Sequence, residues 1–401
     1  MSGPLDGVRV IDMTMNVMGP YASQTLGDMG ADICKIEPPE GDTLRGVGPS
    51  RSKGMGPYFL NLNRNKRSLV LDLKKAEGGE VLRRLLEQAD VLLYSFRPKA
   101  MARLGASYAE VSAINPRIIY CGAFGYGQSG PYADRPAYDD LIQTAIGLPI
   151  LQARGIAEPT FVATAMIDRT VGLMSASAIG MALYHRERTG EGQAIEVPMF
   201  ESMTEFVMGD HLYGKTFEPP LGPVGYSRMM DKNRKPYPTK DGHIGVLVYN
   251  DKHWRHFFTM LGRPDMASDE RYVTIAGRTQ NIAFLYNFLA ETLAERTTDE
   301  WLAFFADADI PATRLNTPEE LLDDKHMTAV GFFTLTDHPS EGRIRVMGIP
   351  QTWSRTQPEI RRLAPRLGEH TIEMLGEYGF SPAEIEKLVA SRAVRISQAT
   401  S

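Results

Sequence analysis

Three places in the 401-residue chain gather side chains of the types that do chemistry. The first is the stretch 166–193, MIDRTVGLMSASAIGMALYHRERTGEGQ, where Asp168 stands ahead of a run of uncharged and mostly small residues. As an N-cap, Asp168 would accept hydrogen bonds from the free amides that open a helix spanning Thr170 to His185. As a reagent, it would sit where helix-end amides favour negative charge, both its own and that of an oxyanion formed beside it. Thr170, Gly172, Ser175, Ser177 and Gly180 keep that helix slim, so that its start can approach another backbone or a ligand closely. The two readings are compatible, and position alone favours the cap.

The second place is Gly125-Tyr126-Gly127-Gln128-Ser129-Gly130, which matches the dinucleotide pattern G-x-G-x-x-G. That fingerprint needs a helix start to hold the pyrophosphate, yet here the chain runs into Pro131, Asp134 and Pro136. The acidic residue expected about 20 positions further on is also missing, which argues against a nicotinamide cofactor. NVMGPYA, the first turn after a strand, has one glycine and no P-loop lysine, and Ser129 lacks the flanks of a nucleophile elbow. The third place is the pair His253 and His256, one helical turn apart. Two ligands do not close a metal site, so these are read as residues of a solvent-facing helix and no metal is expected.

Cys34 and Cys121 are too few for a disulfide framework, and both lie in apolar, strand-like contexts that suit core thiols. Asp6, Arg9 and Asp12 interrupt the opening residues where a secretion signal would need an apolar run, which predicts a cytoplasmic protein. The uncharged run Thr170 to Tyr184 is too short and too rich in Ser and Gly for a bilayer, so no membrane partner is expected. Net charge is −5, but residues 45–103 hold thirteen Lys or Arg against five Asp or Glu, a local excess of +8. Such a region suits a phosphorylated ligand or a solvated face. Without a recognisable nucleic-acid module it does not suggest nucleic acid.

The elements that must position these groups alternate along the chain. GVRVIDM, ADICKIE, RSLVLDL, DVLLYSF and RIIYCGAF read as strands. Between them lie helical segments: one from Pro20 through GDMG, one in KKAEGGEVLRRLLEQA and one around MARLGASYAEVSAIN. This alternation predicts an α/β fold with a mainly parallel sheet, whose ligands bind at the carboxyl ends of the strands. Lys74, Arg97 and Arg103 fall near those ends. GKTFEPPLGPVGY reads as a linker. Beyond it come a hairpin in YPTKDGHIGVLVY, whose Lys-Asp-Gly should supply a positive φ, and helices in DKHWRHFFTMLG, TQNIAFLYNFLAETLAERT and TDEWLAFFADAD. The expected division is a large domain over 1–215, a smaller α+β domain with its linker over 216–330, and a segment 331–401 that returns to the first.

With these residues in hand, the chain resembles the class III CoA-transferases. That group includes formyl-CoA, crotonobetainyl-CoA and succinyl-CoA-dependent dicarboxylate transferases, with α-methylacyl-CoA racemases as relatives. The likeness is carried by LDGVRVIDMT…GPYASQTLGDMGADICKIEPPEGD, NRNKRSLVLDLK, FRPKAMARLG, YGQSGPYADRPAYD and RTGEGQ, and later by TKDGHIGV, LGRP, DIPATRLNT and LGEHT. It covers nearly the whole chain.

The resemblance implies a Rossmann-like large domain, a smaller α+β domain and an interlocked homodimer whose active site lies between the large domain of one chain and the small domain of its partner. It implies coenzyme A or an acyl-CoA as substrate, a small carboxylic acid as second substrate, and Asp168 as the nucleophile that forms first an anhydride and then a CoA thioester. CoA contacts are implied at Val17, Met18, Leu71, Asp72, Lys74, Ser95, Phe96, Arg97, Arg103 and Tyr126. Pro38 stands where formyl-CoA transferases carry an arginine, a contact that Arg45 could replace. Racemase relatives carry histidine in a G-H-D sequence where this chain has Ala137-Tyr138-Asp139, and tyrosine is a poor base at neutral pH. Transfer is therefore favoured over racemisation or a non-catalytic CoA-binding role. The scattered glycines of PPLGPVGYSR disfavour formyl or oxalyl substrates. Arg228, Lys232, Arg234 and Lys235 would hold the distal carboxylate of a dicarboxylic acid or form a solvated charge run.

Overall fold

The computed structural model describes residues 3–155 and 157–397. Six strands, β1 (Arg9–Met13), β2 (Asp32–Glu37), β3 (Lys66–Leu71), β4 (Val91–Tyr94), β5 (Ile119–Phe124) and β6 (Gln193–Pro198), pair in parallel. Their order across the sheet is β3-β2-β1-β4-β5-β6, and the short C-terminal strand Val394–Arg395 adds antiparallel to β3. The order reverses direction between β1 and β4, so a crevice opens beyond their carboxyl ends, where α/β sheets bind ligands.

A sheet covered on both faces needs strands buried along their whole length. β3 and β5 meet this at every residue. Alternate side chains serve two cores. Ile11, Met13, Cys34, Ile36, Leu92 and Tyr94 pack on one face with Leu82 and Leu85 of the helix Ala76–Glu87 and with Met374 and Leu375 from the tail. Val10, Ile33, Val91 and Leu93 pack on the other with helices α1 (Met18–Asp28) and α2 (Met166–Thr189). Both cysteines are free and buried on strands, as expected of core thiols, and burial pushes the Cys121 thiol up to about 12.

Several sequence expectations need correction. The helix expected around residues 101–115 is two, Pro98–Arg103 and Tyr108–Ile114, because Gly105 takes φ +66 between them. α2 starts at Met166 and not at Thr170. No residue of the hairpin turn 239–242 has a positive φ; the Asp241 carboxylate holds the turn instead, accepting from the Thr298 amide at 2.7 Å and its hydroxyl at 2.8 Å.

The chain forms two compact units. One comprises Met1–Ile146, Phe161–Glu205 and His326–Ser401, the other Gly147–Thr160 and Phe206–Lys325. The first thus ends nearer residue 205 than 215, and 147–160 goes with the second. Arg154 shows why, since its guanidinium donates to the carbonyls of Asp231 and Arg234. The second unit has a three-stranded antiparallel sheet and helices packed on Trp254, Phe257, Phe258, Trp301 and Phe305. Among the described residues no helix is long and apolar enough to cross a membrane.

Candidate active site at the carboxyl ends of the strands

Asp168 is the third residue of α2, inside the first turn, and it caps nothing. The N-cap position is Ala165, and the capping carboxylate comes from elsewhere: Asp139 Oδ2 accepts the Asp168 amide at 3.0 Å. Gln143, one turn further along the helix Asp139–Ala145, fixes that carboxylate by donating to Asp139 Oδ1 at 2.6 Å. The Gln143 Oε1 in turn accepts from the Val162 amide at 2.9 Å, which ties down the segment leading into α2.

The Asp168 carboxylate is therefore spared from structural duty. It is half-buried and accepts no hydrogen bond among the described residues. Its pKa rises from 3.8 to about 7, first through desolvation and then through the charge of Asp139, while Arg169 pulls the other way. Arg169 itself lies over the Tyr21 ring of α1, 4.9 Å from its centroid.

One turn beyond Asp168, α2 meets α1 backbone to backbone. A Cβ on Gly172 would lie 2.7 Å from the Met18 carbonyl oxygen, so only glycine allows this approach. That contact brings the start of α1, with Val17 at its N-cap and Met18 at its first position, against the second turn of α2.

Beneath the turn that leads from β1 to α1 lies a group of buried charges the sequence reading missed. Asp12, Lys35 and Lys66 are fully buried. Lys35 lies 2.9 Å from Asp42 and donates to Thr14 O at 3.0 Å; Lys66 reaches Asp12 at 3.3 Å, Asn63 at 2.9 Å and Pro20 O at 2.8 Å. Burial draws the Lys66 ammonium down to about 7 against the pull of Asp12. Asp12 accepts from Thr14 and Ser23, and Asn16 adopts φ +66 with its side chain held by Thr43 at 2.7 Å. The available signal was charge at inward-facing strand positions: Asp12 in VIDM, Lys35 in DICKIE and Lys66 in KRSLVL.

The residues expected to touch CoA fall into two groups. Leu71, Asp72, Lys74, Phe96 and Arg103 line one cavity of about 580 Å³, together with Met13, Ile36 and Pro38. Ser95 and Arg97 flank Phe96 in the exposed turn after β4. Val17, Met18 and Tyr126 are buried outside that cavity. Tyr126 packs against Tyr132 and Phe200 at 5.6 and 5.5 Å between ring centroids. The G-x-G-x-x-G loop opens no helix, and its Gly127 amide donates to Glu201 at 3.0 Å.

The local excess of positive charge is not one phosphate-binding patch. Arg45, Arg64, Lys66 and Arg67 are spent on buried or half-buried partners. Arg45, the suggested substitute at Pro38, grips Glu37 with two bonds of 2.6 and 2.7 Å beneath the Phe59 ring and is buried, so it is unavailable to adenosine. By contrast Lys74, Arg97 and Arg103 are exposed and make no side-chain hydrogen bond or salt bridge among the described residues. His253 bonds to Tyr249 and Asn250, and His256 to Ala308 O; no metal-binding group occurs among the described residues. In the second unit, Arg228 is held by Tyr226 and Tyr286 and lies 5.7 Å from the Tyr249 ring centroid.

Residues 5–371 match the family described as CoA-transferase family III. The chain belongs to CoA-transferase family III. Succinate–glutarate CoA-transferase of Agrobacterium fabrum is 34% identical over 388 residues, covering 93% of this chain and 95% of the relative. Succinyl-CoA:glutarate CoA-transferase of Mus musculus is 31% identical over 396 residues, with 98% and 90% covered. A CAIB/BAIF family protein from Brucella suis superposes with a TM-score of 0.79 at 32% identity, covering 94% of this chain and 100% of that structure. Like its relatives, this family III member is a CoA-transferase, an enzyme whose substrate is CoA in thioester form.

Proposed function

We propose that the enzyme moves CoA from succinyl-CoA to a second small dicarboxylic acid through a covalent relay on Asp168. The carboxylate of Asp168 attacks the thioester carbonyl, forming a mixed anhydride and releasing CoA thiolate. The thiolate attacks the aspartyl carbonyl, expelling the donor acid and leaving an aspartyl-CoA thioester. The acceptor carboxylate then attacks that thioester to give a second anhydride and thiolate. Attack of the thiolate on the acceptor's carbonyl frees the new acyl-CoA and restores the Asp168 carboxylate.

The observation that carries this reading is a half-buried carboxylate in the first turn of a helix that Asp139 already caps. Desolvation makes it a stronger base than an exposed aspartate, hence a better nucleophile once ionised. The start of α1, held close by Gly172, offers amides to the oxyanion. In this reading CoA lies in the cavity of Leu71 and Phe96, its phosphates meet Lys74, Arg97 and Arg103, and its thiol end reaches past Val17 and Met18 to Asp168. The choice of dicarboxylic acids rests on relatives named for succinate, glutarate, citramalate and mesaconate.

The test is exchange from succinyl-CoA to a panel of mono- and dicarboxylic acids. Double-displacement kinetics are expected, with parallel double-reciprocal lines. Asp168→Ala should lower kcat by at least about a thousandfold while CoA still binds. Substantial turnover by that variant refutes the relay.

A further inference from the structure

Next to the cavity read as the CoA site lies a second one, of about 620 Å³, with which it shares Pro39, Glu40 and Asp72 as a common wall. Three cations line it: Lys75 at the N-cap of the helix Ala76–Glu87, and Arg392 and Arg395 from the last described turn and strand. Lys75 donates to Ser391 O and Arg395 to Pro39 O at 3.3 Å, so both spend hydrogen bonds on neutral carbonyls that leave their charges uncompensated. Arg392 makes no side-chain hydrogen bond or salt bridge among the described residues. Of the two carboxylates in the shared wall, Asp72 is turned to the Lys74 amide at 3.0 Å and Glu40 is exposed.

Arg392 also pays in backbone strain. The C-terminal helix Pro382–Ala390 closes with bonds from Arg392 N to Val389 O and from Ala393 N to Leu388 O, at 3.0 Å each. This is the motif whose left-handed residue is usually glycine, yet arginine occupies it at φ +59. A strained arginine without a partner, facing a cavity beside a CoA site, points to an anion that comes with the substrate.

We propose that Arg392, Arg395 and Lys75 form the subsite for the 3′-phosphate of CoA, so that the C-terminal strand completes the substrate site of the same chain. The inference rests on the first cavity holding CoA. The 3′-phosphate is the group of CoA that dephospho-CoA lacks, and three cations around one cavity suit a dianionic phosphate better than a neutral ribose hydroxyl.

Calorimetric titration of the whole enzyme with CoA and with dephospho-CoA tests this. The enzyme should bind CoA at least about tenfold more tightly than dephospho-CoA. Arg392→Gly and Arg395→Gln should each remove most of that preference by weakening CoA alone, and Arg392→Gly should melt at the same temperature as the parent or higher, since it relieves the strain. Equal affinity of the parent for both ligands, equal weakening of both, or a preference retained in both variants overturns the subsite. If the parent binds neither ligand, the reading of the first cavity fails instead.

Discussion

At the scale of single residues, transfer turns on the ionisation of Asp168. Only the carboxylate is a nucleophile, and in the folded protein its pKa is about 7. Below that value kcat/KM should therefore fall about tenfold per pH unit, with a plateau above it; a pH-independent kcat/KM between 5 and 8 would contradict this. The same shift has a cost in stability. The folded-state pKa is raised, so the folded protein holds the Asp168 proton more tightly than the unfolded chain, and stability is lost as pH rises from about 4 to 7. Asp168→Asn should remove that loss, and its stabilising effect should be about 2 kcal/mol larger at pH 8 than at pH 5 in denaturant titrations. The sequence could nominate Asp168 as cap or reagent but could not choose. What separates the two is Asp139, which lies 29 residues away and is brought to the helix end only by the fold.

Elements decide whether that carboxylate meets its substrate. α1 and α2 approach so closely at Gly172 that a single added methyl must move one backbone against the other. Gly172→Ala should lower kcat and cost about 1–3 kcal/mol of stability, read from the shift in urea midpoint; a variant with unchanged kcat would show that this approach does not set the site. The mainly parallel sheet was legible, because β-α alternation demands crossover connections; the order of its strands was not. The +8 region was misleading for a physical reason: Lys and Arg look alike in sequence whether solvated or spent inside. Lys66 and Arg45 face inward, Lys66 toward Asp12 two strands away and Arg45 toward Glu37 at the end of β2. Helix breaks such as Gly105 depend on a local φ that a periodic pattern does not reveal.

On the whole-molecule scale, α2 exposes Leu173, Met181 and Tyr184 at 44%, 68% and 64%, apolar side chains at helical spacing on the face turned from its own core. Such a stripe on the longest helix favours a partner, and the interlocked homodimer implied by family resemblance would supply one. Light scattering on the eluted protein should give twice the mass of one chain, and Met181→Glu with Tyr184→Glu should shift it toward the monomer; a parent enzyme that is monomeric and active would contradict the dimer. The linker at 214–226 signalled a second unit beyond it. The allocation of 147–160 to the second unit had no such signal, since it depends on Arg154 reaching the carbonyls of Asp231 and Arg234.

The most direct test of the relay is to trap it. Enzyme quenched during turnover with succinyl-CoA and an acceptor acid, in the presence of hydroxylamine, should yield peptide 155–169 carrying a hydroxamate on Asp168, and borohydride should instead leave the corresponding alcohol there. Active enzyme whose peptide never gains either mass, under conditions that trap a control thioester, would contradict covalent transfer through this aspartate.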